Sequence, residues 1–138
     1  MELEIQGINT FYGLSHILFD VSLEVNSGEV VVLLGRNGAG KTTTMRSVMG
    51  LTPPKGGTVK FRGQDITGFP PYKVARLGVG FVPEDRRIFP DLSVHANLDV
   101  GRKRSKSKLS KWTFERIYEL FPRLREASHR PGGTLSGG

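Results

Sequence analysis

The stretch "GRNGAGKTT", Gly35 to Thr43, carries glycines, a lysine and a threonine in the order G-x-x-x-x-G-K-[ST]. Each residue type has a reason to be there. Gly38 and Gly40 let backbone amides curl around a phosphate, and a helix starting after Gly40 adds its positive end. Lys41 is a compact cation within reach of β- and γ-phosphates, and the Thr42 hydroxyl can ligate Mg²⁺. The candidate site is therefore the whole loop: Gly35, Arg36, Asn37, Gly38, Ala39, Gly40, Lys41, Thr42 and Thr43. The plainer alternative is a glycine turn ahead of a helix, and the flanking pattern weighs against it.

That pattern must supply a strand before the loop and a helix after it. "EVVVLLG" is an apolar run without alternation, as expected of a strand buried on both faces of a parallel sheet. After Gly40, Met45, Val48 and Met49 share a helical face, and Gly50 is the expected stop. Upstream, Leu3 and Ile5, then Val21, Leu23 and Val25, alternate with polar residues, which predicts an antiparallel portion. Downstream, "KGGTVKFRGQDI" reads as turn, short strand and turn. "PPYKVARLG" reads as a short helix stopped by Gly78, leading into a strand "VGFVP". Ser93 is placed to cap a helix through Leu98. Phe114, Ile117, Tyr118, Phe121 and Leu124 recur at helical spacing, with Pro122 ending or kinking that helix. The order predicts an α/β fold with a helical portion at its end.

Composition narrows the class. The 138 residues include 18 Gly and 8 Pro, with 37% apolar and 24% charged residues, as in a loop-rich globular domain. There is no cysteine, so disulfides and thiolate metal sites are excluded. The histidines His16, His95 and His129 lack metal spacing and read as surface or loop residues. No apolar run approaches a membrane span and no charged-then-apolar leader opens the chain, so membrane association is expected through a partner. Residues 1–100 hold 10 Lys+Arg against 10 Asp+Glu, and residues 101–138 hold 10 against 3, which accounts for the whole net charge of +7. The biased stretch "GRKRSKSKLSK", 101–111, reads first as a solvated face and second as a neighbour of anionic lipid. Nucleic acid comes third, because no aromatic interleaves the run.

A phosphate loop alone does not separate the classes of nucleoside triphosphatase. Four stretches together resemble the nucleotide-binding subunits of ABC transporters: "FYG" with Tyr12, "GEVVVLLGRNGAGKTTTMRSVMGL", "GVGFVPE" and "TLSGG". Within that family, "TGFPPYKVARLGVGFVPEDRRIFPDLSV", "YELFPRL" and "GGTLSGG" are most similar to the smaller ATPase of branched-chain amino acid importers. The resemblance covers the entire chain. It implies a P-loop nucleotidase core with an N-terminal antiparallel β portion and the start of a helical subdomain. The boundary falls near residue 90, with about 1–90 as the β portion and core and about 91–138 as the helical part.

The resemblance also implies roles. Tyr12 stacks on adenine, although a hairpin core aromatic is the alternative. Glu84 stands where the family has a Gln that contacts Mg²⁺ and the attacking water; it keeps an oxygen for the metal and adds charge. Lys41 and Glu84 are thus the candidate catalytic groups, and Thr42 and Glu84 the candidate Mg²⁺ ligands. Leu135, Ser136, Gly137 and Gly138 form the signature loop that contacts ATP on an opposite subunit. ATP and Mg²⁺ are the implied cofactors. The implied partners are permease subunits at the cytoplasmic face of the inner membrane, a second ATPase subunit, identical or a sister, and indirectly a substrate-binding protein, with no specific nucleic acid. Two alternatives stay open: a soluble ABC ATPase acting on ribosomes or DNA, and an importer ATPase for another small polar substrate. The family's water-activating Glu, metal-holding Asp and switch His have no matching position, so the chain reads as cut inside its signature motif, with the C-terminal part of the core missing. The expectation is a nucleotide-binding piece without hydrolytic competence of its own.

Overall fold

The computed structural model describes residues 1–85, 87–102 and 112–136. The chain divides into two compact units, Met1–Phe81 and Val82–Gly138.

The first unit is built on a hairpin. Strands β1 (Leu3–Tyr12) and β2 (Ser15–Val25) pair antiparallel, with Leu3 opposite Val25 and Ile5 opposite Leu23. Strand β3 (Gly56–Phe61) adds to the other edge of β1, and the two-residue strand β4 (Gln64–Asp65) follows, for the order β2-β1-β3-β4. Arg62 and Gly63 both have positive φ, 50° and 78°, the conformation of the tight turn that joins two right-twisted strands. Helix α1 (Lys41–Val48) and helix α2 (Pro71–Arg76) complete the unit. Its core gathers Ile5, Ile8, Leu18 and Val59 from the sheet with Val48 and Met49 around the end of α1, Ile66, and Val74 of α2.

Helix α1 stops where Gly50 predicts. Gly50 has φ 69°; its amide donates to the Ser47 carbonyl, and the Leu51 amide donates to that of Arg46. This is the paired C-terminal closure that a left-handed residue permits. A Cβ on Gly50 would stand 1.9 Å from the Phe69 carbonyl oxygen, so no side chain fits there. The expected face needs one correction. Met45 is exposed, and the buried face runs through Thr43, Thr44, Ser47 and Val48. Three of those four are hydroxyl residues that an apolar pattern does not count.

Two predicted strands are not formed. Residues 29–34 lie outside the sheet, with Val30, Val32 and Leu34 exposed to 87%, 67% and 88%. Residues 79–83 are likewise irregular. Val79 and Phe81 lean on the core, but Val82 is 94% exposed. A strand buried on both faces needs neighbours on both sides, and the described residues supply none for these two segments.

The second unit is helical. Helix α3 (Val94–Val100) is capped by Ser93, whose hydroxyl accepts from the Ala96 amide. Helix α4 (Phe114–Leu120) is capped in the same way by Thr113 through the Arg116 amide. The chain breaks at Phe121 and resumes as α5 (Pro122–Glu126), with Pro122 at its first turn, as its missing amide requires. The basic run is described only at Arg102, which pairs with Asp99 at 3.6 Å, and residues 103–111 lie outside the described residues.

Candidate nucleotide site

The phosphate loop hangs on the hairpin. Gly40 has φ 92° and is buried; a Cβ there would meet Leu18 Cδ2 of β2 at 2.6 Å. Both the backbone and the close approach therefore demand glycine. Gly38, at φ 83°, turns the loop in open space. Behind the loop, the Thr44 hydroxyl donates to the Gly40 carbonyl at 3.0 Å and the Ala39 amide to that of Arg36 at 3.1 Å.

Lys41 folds over this loop. Its Nζ donates to the carbonyls of Gly35 at 2.8 Å and Arg36 at 2.9 Å, which places the ammonium at the loop's mouth. No side chain caps α1, whose N-cap is Gly40, so the positive end of the helix faces the loop that precedes it. Arg36, Asn37, Gly38 and Ala39 are exposed. The hydroxyls sort themselves by depth: Thr43 and Thr44 are buried, while Thr42 is exposed beside Lys41. Thr42 is therefore the first-turn hydroxyl that suits Mg²⁺, and a bound Mg²⁺ would neutralise phosphate charge there.

Tyr12 comes to the same place. It ends β1, and the polar side chain of Thr52 is the main reason its pKa falls below the ordinary value, against burial that raises it, with Thr43 and Arg46 lowering it further. The ring stays 45% exposed. At that exposure it is not a core aromatic.

Glu84, Leu135 and Ser136 belong to the second unit. Glu84 sits in an exposed turn, followed by Asp85, whose carboxylate accepts from Arg87 Nε at 2.7 Å. The signature segment begins as a 3-10 turn, Gly132–Thr134, with Leu135 half-buried and Ser136 exposed; Gly137 and Gly138 lie outside the described residues. The first two glycines of this segment serve packing. A Cβ on Gly132 would meet Asn97 Nδ2 at 3.0 Å and Ile88 Cδ1 at 3.1 Å, and one on Gly133 would meet Pro90 Cβ at 2.9 Å.

Asn97 organises that region and was absent from the sequence reading. Its Oδ1 accepts from the Phe89 amide at 2.9 Å, and its Nδ2 donates to the carbonyls of Phe89, Leu92 and Ser93 at 2.9, 3.1 and 3.0 Å. An asparagine inside a short helix was the available signal, because that residue disfavours helix interiors unless its amide has backbone to bind. The histidines make contacts of their own, with His95 and His129 exposed as expected and His16 only partly so. His16 lies on β2, stacked on Phe11 at 4.1 Å and bonded to Asn9 Oδ1 at 3.0 Å, and His95 on α3 bonds the Tyr118 hydroxyl at 3.0 Å. Both add contacts within their own unit.

Residues 18–138 match the family model described as ABC transporter. The chain belongs to that family. It is 37% identical over 136 residues to the high-affinity branched-chain amino acid transport ATP-binding protein BraG of Pseudomonas aeruginosa, covering 99% of this chain and 58% of the relative. It is 49% identical over 124 residues to the lipopolysaccharide export system ATP-binding protein LptB of Escherichia coli K12, covering 88% and 52%. Among solved structures, an ATP-binding subunit of an ABC transporter superposes with a TM-score of 0.79 at 27% identity, over 99% of this chain and 56% of that one. The chain thus spans little more than half the length of these relatives. Among the described residues, no helix is long and apolar enough to cross a membrane.

Proposed function

We infer that this chain carries the cis half of an ATP site from the ATP-binding subunit of an ABC importer, and that ATP binding and hydrolysis in the whole protein drive transport of branched-chain amino acids. The observation that carries the nucleotide reading is Lys41 folded onto the glycine-rich loop at the start of α1, a helix with no side-chain cap. Adenine lies on Tyr12, the phosphates occupy the loop, Lys41 exchanges its two carbonyl contacts for phosphate oxygens, and Thr42 holds Mg²⁺. Glu84 is the candidate group for the metal and attacking water, and Ser136 with its flanking residues Leu135, Gly137 and Gly138 the candidate contact to ATP on a second ATPase subunit. The loop after Glu84, with Phe89 exposed, is the candidate contact to a permease at the cytoplasmic face of the membrane. Support for the substrate class comes from the name of the Pseudomonas relative.

The test is equilibrium binding of MgATP to the purified 138-residue chain. Weak binding abolished by Lys41→Ala is expected, with phosphate release at background, because the catalytic carboxylate on which such turnover depends has no counterpart in the chain and preorganised charge of that kind is worth about a hundredfold or more in rate. Binding indifferent to Lys41→Ala would sink the reading. A second reading, an ATPase serving a different transported substrate, is favoured by the 49% identity to the export-system relative. Complementation of strains lacking either transport system, using the full-length gene, separates the two.

A further inference from the structure

Helix α1 sits on two residues that stand opposite each other in the β1–β2 hairpin, Thr10 and Leu18. Leu18 meets the start of the helix, where a Cβ on Gly40 would stand 2.6 Å from its Cδ2. Thr10 meets the last turn, where its hydroxyl lies 2.9 Å from that of Ser47, and both side chains are buried. The Ser47 hydroxyl donates its single proton to the Thr43 carbonyl at 2.9 Å, so Thr10 is the donor between the two. Strand β1 thus reaches, through one serine oxygen, the backbone of the turn that bears Lys41 and Thr42.

An apolar pair would fill the same space without desolvating two hydroxyls, so the polar pair needs a reason. Val48 and Met49 already hold this end of the helix to the core, but apolar contact has no direction and lets a short helix turn in place. A hydrogen bond weakens steeply away from linearity and therefore fixes the rotation of α1 about its axis. At the other end Gly40, at φ 92° and without a side chain, offers little restraint of its own. Rotation matters to a phosphate site. On a cylinder of about 2.3 Å radius, a turn of about 20° carries each Cα roughly 0.8 Å sideways. Productive geometry tolerates about 0.5 Å.

We propose that Thr10 is a positioning residue for the triphosphate, its hydroxyl holding α1 through Ser47 at the rotation that presents Lys41 and Thr42 to the phosphate loop. This role rests on the nucleotide reading of the loop and adds the group that orients its helix. Without the bond α1 samples several rotations, and the apparent affinity falls to the fraction of molecules that keep the right one. One net hydrogen bond is worth a factor of about three to ten in such an equilibrium. The base takes no part, so ATP and bare triphosphate are affected alike.

The experiment uses the 138-residue chain with two probes, MgATP and magnesium-bound inorganic triphosphate, at a temperature where every variant is folded. Thr10→Val keeps the branched shape and removes the donor; it is expected to weaken both probes about threefold to tenfold. Thr10→Ser should restore both. Ser47→Ala removes the acceptor without disfavouring the helix; it should give a similar loss and add nothing to Thr10→Val. Ile5→Val, a buried change on the same strand with a comparable stability cost, should bind both probes as wild type does. Equal affinity in Thr10→Val and Ile5→Val, a loss confined to MgATP, or additive losses in the double variant overturns the proposal. The unliganded protein gives a second measurement: the Lys41 and Thr42 amide resonances should move in Thr10→Val and return in Thr10→Ser. No movement overturns the tether. Movement combined with wild-type binding that is indifferent to Lys41→Ala keeps the tether and overturns the nucleotide reading on which its role rests.

Discussion

Two β-branched, apolar stretches in the first unit meet different fates. Ile5, Ile8 and Val59 are exposed to 1% or less in a paired sheet, while Val30 and Val32, of the same residue class, are 87% and 67% exposed and unpaired. The difference lies in where each segment finds hydrogen-bond partners. Strand β1 meets β2 across a two-residue connection and pairs antiparallel with β3, which returns after α1, on its other edge. Residues 29–34 carry the near-continuous apolar pattern of a parallel strand, whose neighbours arrive only by long crossovers. Propensity puts a segment in extended conformation; partners make it a strand.

That contrast can be broken at its strongest point first. Gly50→Val puts a side chain 1.9 Å from a backbone oxygen at φ 69° and should cost more than about 4 kcal/mol, abolishing the cooperative thermal transition of the sheet unit. Ile8→Ala, at a fully buried position, should cost about 2–5 kcal/mol by denaturant titration. Val32→Ala should change stability by less than about 0.5 kcal/mol, and a loss comparable to that at Ile8 would mean residues 29–34 are packed after all. Hydrogen exchange sharpens the same comparison: amides of Ile5 and Val59 should be protected, and those of Val31 and Val32 should exchange as fast as exposed loops.

The smallest effect concerns acid. The Asp65 carboxylate accepts from the Thr67 amide at 2.8 Å, and the Thr67 bonds, side chain first and then backbone, hold its pKa below the ordinary 3.8. A folded pKa below the unfolded value gives stability that is present above the unfolded pKa and lost as pH falls through the folded one. Carbon-detected titration of Asp65 should therefore show a midpoint below 3.8 that returns toward it in Thr67→Val.

Legibility follows the reach of each signal. The N-terminal alternation, the caps at Ser93 and Gly50, the stop at Gly78 and the break at Pro122 all act within a turn of the residue that announces them, and each stands where the pattern put it. The glycine loop at 35–40 and the helix start after it were equally legible because those glycines act on their own backbone. The strand at 29–34 and the one at 79–83 depend on distant partners, and composition could not say whether those would be present. Thr10, Ser47, Thr52 and Asn97 were passed over for another reason: a hydroxyl or amide looks alike in sequence whether it faces water or a single buried acceptor.

The stitching around Asn97 has a mechanical consequence. Backbone bonds from Val94 to Arg130, His95 to Ser128, Gly132 to Leu92 and Gly133 to Pro90 rivet residues 89–95 to residues 128–133 along their length. Two segments more than thirty residues apart in sequence thereby become one stiff bar, and Asn97 is the pin through its end.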